Sequence, residues 1–408
     1  MNQSRPAHRR LFLEGLERRE LLAGNVLVEL DGGNLIVTGD DAANQISIFQ
    51  QPGGLFTITG QDGEEFTGPT EEIIARNITV NLGAGDDSVV IAAQPVEGED
   101  LLPAQVIGTT TVNGGDGSDI LAVSVVGRQV ETFVLPAIAI RIDGGAPAAG
   151  SEASQDDTAV LVNSAAGLVS VRTGVGDDII EINNLLAVSL NVDAGPASLA
   201  NGATDSDLVT VSTATAATAT INLGLNSSGN LLTIEDGLYG TLSANGGNGV
   251  DNVAIDGTLA GLSLTLNTYG GADSVLLNTV QTGLTQADYN DLLDLVVGAF
   301  GLDLSVLPFD IRGLISYLPS LPGYMTISTG DGDDIVTANN LFSTLSIYLY
   351  LDGGNDQLFA NDVEATIAWF FGGAGTDGRL VTNVDALSEL ELQFETLLEI
   401  EDPNAPLT

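Results

Sequence analysis

The sequence predicts an all-β chain folded as a parallel β-solenoid (β-helix or β-roll-like), with coils of about 21–22 residues and one helical insertion. Three observations predict it: a glycine–aspartate turn that recurs along the chain, a near-constant spacing between copies, and short alternating strands between them. "LGAGDDSVVI" ends its turn at Asp87, "GGDGSDILAV" at Asp119, "TGVGDDIIEI" at Asp178 and "GGNGVDNVAI" at Asp251. "TGDGDDIVTA" ends at Asp334 and "GGAGTDGRLV" at Asp377. Shortened copies end at Asp273 and Asp356, lengthened ones at Asp157 and Asp207, and one copy carries Asn230 in place of the acid. The steps 207, 230, 251, 273 and 334, 356, 377 differ by 21 to 23, as does 157 to 178.

The strands come next. "VSVRT", "IIEIN" and "VSLNV" alternate with period two, so one side chain in two faces inward. A unit this short cannot bury its apolar face alone, whereas stacked units can. Val89, Leu121, Ile180, Val253 and Val336 are therefore expected to point inward at equivalent places on successive coils. Hairpins in a sandwich would also supply glycine turns, but not a fixed step.

Composition agrees with this picture and excludes others. The 408 residues carry a formal net charge of −44, yet 44% are hydrophobic, enough to bury a core. Cysteine is absent, so no disulfide or thiolate metal site holds the chain together. There is no lysine, and five of the eleven arginines fall within the first 19 residues. Beyond Gly24, six arginines face 52 acids, which repels nucleic acid and anionic lipid and attracts cations. No apolar run reaches the ~20 residues of a transmembrane segment.

The chain divides into a segment 1–24 unlike the rest, coils over 25–280, an insertion over 281–324, and final coils with a C-terminal cap over 325–408. The insertion reads as helical from Thr285 to Met325. Thr285 and Asp288 have capping-box spacing, Leu292, Leu295, Val296 and Ala299 form an apolar stripe, and Pro319 closes a second short helix. It either packs along the wall of coils or presents a surface to a partner. "WFFGG" from Trp369 reads as core filling or a sugar-stacking platform. "ELELQFE", Glu389 to Glu395, reads as a charged terminal strand that covers the open end.

Two resemblances bear on function. Gly114 to Asp119, Gly246 to Asp251 and Gly372 to Asp377, with three turns that carry Leu82, Thr173 or Thr329 for the first glycine, resemble the G-G-x-G-x-D-x-U-x nonapeptide of hemolysin-type (RTX-like) calcium-binding secreted proteins. The resemblance implies Ca2+ between stacked turns, held by Asp86, Asp87, Asp116, Asp119, Asp177, Asp178, Asp251, Asp331, Asp333, Asp334, Asp356 and Asp377. Calcium takes six to eight oxygens, which carboxylates and turn carbonyls supply. In that family a coil is two nonapeptides, about 18 residues, whereas this chain has one motif per 21–22. Alternatively, the Asp and Asn side chains bond local backbone N–H groups on solvated turns. Separately, Leu16-Glu17-Arg18-Arg19-Glu20-Leu21-Leu22-Ala23 resembles the L-E-P-R-x-L-L leader of planctomycete extracellular proteins, with Arg18 where proline is usual. That resemblance covers two dozen residues and implies export, not activity.

Catalysis finds little support in the sequence. The single histidine, His8, lies in the leader-like segment, and no nucleophile elbow or zinc motif occurs. A lyase needs a basic residue near bound calcium, for which Arg141 and Arg172 are candidates by position on strands alone, and 55 acids do not single out a hydrolase pair. The expectation is a non-enzymatic, extracellular or cell-surface protein with a structural or adhesive role, binding calcium and a cell-surface glycan or protein. A metal-independent spacer or surface-layer component is the alternative.

Overall fold

A computed structural model describes residues 24–60, 64–94, 102–130, 133–145, 155–195, 206–224, 229–290, 293, 319–394 and 396–397. The leader-like segment and most of the insertion lie outside the described residues. What is described is nearly all β, and most strand pairs are parallel.

The strands stack in register. Thr158–Arg172 pairs in parallel with Ile179–Asp193, which pairs with Leu208–Asn222. Later repeats are split into two strands, as in Asn252–Asp256 and Leu259–Asn267, or run continuously, as in Ile335–Tyr350, Gln357–Phe371 and Gly378–Leu392. Every repeat contributes the same inward position to one column. It runs Ile46, Val89, Leu121, Ala159, Ile180, Val209, Leu232, Val253, Val275, Val336, Leu358, and all of these are buried. The five inward residues expected from the spacing stand in this one column. Each buried Val, Ile or Leu contributes about 1.5–3 kcal/mol relative to exposure, so the thin core is stabilised by repetition of small aliphatics.

Within a repeat the chain bends at a residue with left-handed φ, six positions after the turn aspartate. Asn163, Asn184, Asn340, Asp362 and Asn383 occupy it with φ of 48–55°, and Thr213 and Thr279 share it at 52°. Asn and Asp tolerate this region because their short polar side chains bond locally. The corner was not anticipated, although its signal, Asn or Asp at a fixed offset from the turn, is present in the sequence.

The two ends are closed differently. At the N-terminal end Asn25–Asp31 folds back antiparallel on Asn34–Thr38, and Phe56–Gly60 on Gln45–Gln50, with Phe56 and Ile73 buried beneath. Towards the other end the inward column passes from Leu358 to Arg379 and on to Leu397. The Arg379 guanidinium pairs with Glu391, which stands opposite the buried Phe370, and sits 5.8 Å from the ring centroid of Phe394. Burial pushes the Glu391 carboxyl up, and Arg379 offsets this.

The insertion is narrower than 281–324. Gln281 and Thr282 end a strand paired with Leu259 and Ala260, and Tyr324–Ser328 is a strand with Met325 fully buried. Met325 is therefore core rather than helix, because it continues the column from Leu264 to Ile347. Leu284 and Leu321 exchange backbone hydrogen bonds of 3.2 and 2.9 Å and close the neck. Residues 286–290 are helical. As the capping box requires, Asp288 accepts the Thr285 N–H at 2.5 Å and donates its own N–H to Thr285 Oγ1 at 3.4 Å. The apolar stripe from Leu292 onward and the second short helix lie outside the described residues. The 61 residues between Asp273 and Asp334, nearly three coil lengths, span a single repeat step, since Ser274 pairs directly with Ile335.

Tyr239 is the one tyrosine among the largest fully buried side chains; it lies between Ala216 and Ala260 in its column. Small neighbours make room for the ring, but its hydroxyl meets no hydrogen-bond partner among the described residues. Tyr239→Phe keeps the packing and removes a desolvated polar group, so its melting temperature should equal or exceed that of the parent in a thermal scan. A clear fall would show that the hydroxyl is satisfied.

Candidate functional site

The aspartate turns stack into two files with different surroundings. In each strand the alternation that buries Val89, Leu121, Ile180 and Val336 extends two residues back, which turns Asp87, Asp119, Asp178 and Asp334 inward as well. Their sequence neighbours Asp86, Asp177 and Asp333 then face outward. The inner file comprises Asn44, Asp87, Asp119, Asp157, Asp178, Asp207, Asn230, Asp251, Asp273, Asp334, Asp356 and Asp377, and every member is at most 2% exposed.

These buried side chains bond the backbone of the neighbouring repeat. The N–H of each inner residue donates to Oδ1 of its equivalent one repeat later, at 2.6–3.1 Å, without interruption from Asn44 to Asp377. In return, the residue after each inner aspartate donates to the preceding one's carbonyl, as Ile120 does to Asp87 at 2.9 Å and Gln357 to Asp334 at 2.8 Å. Two opposed bonds thus clasp each repeat to the next at the turn. The second oxygen of Asp119, Asp157 and Asp251 lies inside its own turn. A Cβ on Gly114, Gly144 or Gly246 would stand only 2.1, 2.0 or 2.2 Å from it.

The glycine two residues before the aspartate is also fixed by stacking. Gly332, Gly354 and Gly375 have φ of 149–156°, and a Cβ on each would lie 1.4–1.6 Å from the carbonyl oxygen of the glycine one repeat earlier. G-x-D is thus what allows consecutive turns to touch.

The outer file is exposed and its bonds run the other way. Ser118 N–H donates to Asp86 Oδ1 at 3.1 Å, Asp177 N–H to Asp156 Oδ1 at 3.1 Å, Ser206 N–H to Asp177 Oδ1 at 2.9 Å, and Asn355 N–H to Asp333 Oδ1 at 2.8 Å. Asp116 and Asp331 belong to neither file. They lie at the turn tips, half-buried and exposed respectively, and their carbonyls bond the N–H of Gly85 and Gly271. The twelve residues expected to hold calcium therefore separate into seven buried backbone acceptors, three outer acceptors and two tip residues. Asp157, Asp207, Asp273, Asn44 and Asn230 belong to the inner file and stand outside that set. The alternation extended through the turn is the signal that finds them.

Burial sets the electrostatics. It pushes Asp87 up to about 7, Asp119 to about 6, Asp157 to about 8 and Asp356 to about 7, opposed by the hydrogen bond from the preceding repeat's N–H. Neighbouring aspartates add repulsion at Asp87, Asp157 and Asp356. Asp273 and Asp334 rise to about 6 for the same leading reason, and Asp251 is raised too. With repeats about 4.8 Å apart, these raised aspartates titrate as coupled groups rather than as independent acids.

Calcium needs six to eight converging oxygens. The inner carboxylates do not fit it: one oxygen of each is spent on a backbone N–H, and in Asp119, Asp157 and Asp251 the other is wedged within the turn. Among the described residues no group of three or more His, Cys, Asp or Glu side chains gathers to hold a metal ion. Arg172 is drawn into an exposed ion pair with Asp193 at 3.3 Å, and Arg141 lies in its strand opposite Ser170. No family model matches the chain, and no curated protein or solved structure matches it significantly either.

Two outcomes follow. Asp356→Asn keeps the Oδ1 acceptor, as Asn230 does naturally, and should leave stability at pH 7 unchanged or higher. Asp356→Ala orphans the buried Asp334 N–H and should cost about 1–3 kcal/mol in urea unfolding. The pH dependence has a definite sign. Asp87, Asp119, Asp157, Asp251, Asp273, Asp334 and Asp356, raised by burial, hold protons in the folded state that the unfolded chain releases near pH 4, so stability is greatest at about pH 4 and falls towards about pH 8. Urea melts from pH 5 to 8.5 should show this decline, and Asp157→Asn should flatten it while Asp86→Asn does not.

Proposed function

We propose that the chain is an extracellular, acidic parallel β-solenoid with a structural role, a rigid spacer whose repeats are locked together by its own buried aspartates. The observation that carries this reading is the unbroken file of side-chain-to-backbone bonds from Asn44 to Asp377. It supplies at the turns the cross-repeat bonding that a row of metal ions would otherwise provide. Stacked, in-register pairing through most of the described strands supports the solenoid architecture, because each repeat pairs with the one before and the one after. Among the described residues no helix is long and apolar enough to cross a membrane. The location outside the cell is inferred from the leader-like residues Leu16 to Ala23, and the role is read as non-catalytic.

A calcium-dependent form of the same role has one observation in its favour. The outward carboxylates of Asp86, Asp177, Asp331 and Asp333 are exposed, and Asp331 and Asp333 share one turn, where a cation could relieve their repulsion. Thermal melts in EDTA and in millimolar calcium chloride separate the two. The spacer reading expects melting temperatures within about 2 °C of each other, since surface charge relief is small. A larger rise with calcium, lost in Asp331→Asn/Asp333→Asn, would replace it with the calcium-dependent form.

A further inference from the structure

One outer face of the stack changes character abruptly near the C-terminal end. Two neighbouring outward columns run Ser243, Thr265, Thr326 and Asn245, Asn267, Ser328 through three repeats. In the next two repeats the same columns become Tyr348, Trp369 and Tyr350, Phe371. The four rings pack together. Tyr350 stacks on Phe371 with centroids 4.8 Å apart and planes within 10°, and Tyr348 meets Trp369 edge-on at 5.5 Å. Tyr348 and Tyr350 lie 6.2 Å apart with planes within 22°.

These contacts orient the rings. Because Tyr350 has one face on Phe371, a repeat further on, its other face is turned towards Ser328, a repeat back; Tyr348 shares that orientation. The two near-coplanar tyrosines form a wall above a floor of small hydroxyl and amide side chains, Thr265, Asn267, Thr326 and Ser328. At the foot of the wall Ser328 donates to Asp352 Oδ2 at 2.6 Å. Burial, with Tyr348 and Asp352 nearby, raises the Tyr350 hydroxyl's pKa, which keeps it a neutral donor.

We propose that this ledge binds a neutral polysaccharide. A pyranose ring offers an apolar C–H face, which suits an aromatic wall, and a rim of hydroxyls, which suits Ser, Thr, Asn and a carboxylate. Charge narrows the occupant further. None of the residues forming the wall or floor is cationic, and Asp352 and the overall charge of −44 repel phosphate, uronate polymers and nucleic acid. A second copy of the chain carries the same repulsive charge to the same face. The core ring of "WFFGG", Phe370, is fully buried, while Trp369 and Phe371 on either side remain partly exposed, so this segment fills the core and builds a platform at once. The spacer reading bears only on where such a polymer is met, since binding at the ledge is independent of it.

Affinity electrophoresis of the full chain in native gels tests this, with hydroxyethyl cellulose, mannan or dextran as neutral polymers and polygalacturonate as the anionic control. At least one neutral polymer should retard the protein and polygalacturonate should not. Tyr348→Ala/Tyr350→Ala should weaken retardation about tenfold, and Tyr350→Phe should stay within about threefold. Circular dichroism and melting check that the variants fold; Ser328→Glu, which charges the floor without removing a ring, should also abolish retardation. The proposal falls if no neutral polymer retards the protein, if the alanine variant is retarded like the parent, or if sedimentation finds a dimer that the alanine variant dissociates. The outcome is separate from the calcium melts, which bear on the spacer alone.

Discussion

The fold depends on one hydrogen bond repeated along its length: a buried aspartate Oδ1 accepting the backbone N–H of its own equivalent one repeat earlier. Strand ladders hold flat walls together, but they stop where the chain turns. At the turn a backbone N–H would be left buried without a partner, a cost comparable to a lost hydrogen bond. The carboxylate repairs this while standing inside the wall, and the glycines around it let the next turn approach to contact. The acidity of the chain is therefore only partly a surface property. Some of its carboxyls are structural groups whose proton is held by burial.

This arrangement divides acids that look alike in sequence. Asp86 and Asp87 are neighbours of identical chemistry, yet one bonds a repeat in one direction from the surface and the other bonds in the opposite direction from the interior. Where both files are present, as at the turns of Asp87, Asp178 and Asp334, they hold the turn both ways along the stack.

The columns of Val89, Leu121, Ile180, Val253 and Val336 were legible because strand alternation and a constant step are both properties of a linear pattern. The inner and outer aspartates were not separated, because the motif that resembles a calcium nonapeptide draws attention to residue type rather than side-chain direction. Extending the period of two from Val336 back to Asp334 places the carboxyl inside, and the same count works at Asp87, Asp119 and Asp178. The left-handed corner at Asn163, Asn184 and Asn340 escaped for another reason. Thr213 and Thr279 stand among the Asn and Asp residues and hide the repeat, since context there overrides local preference. The edges of the insertion were less legible than its presence, since Met325 read as helix and is core. A closed neck between Leu284 and Leu321 lets the chain depart and return without altering the step, and added loop length costs little closure entropy.

The ion pair of Arg379 and Glu391 has a consequence beyond its own repeat. A parallel stack is in principle open-ended, and its final rung is a template for another molecule's first. A guanidinium stands where every earlier described repeat has an aliphatic side chain, between Leu358 and Leu397, so the apolar column is broken near this end. The folded antiparallel strands at the opposite end remove the matching surface. A charge in the column near one end and antiparallel pairing near the other thus work against edge-to-edge growth of a pattern that repetition alone would favour.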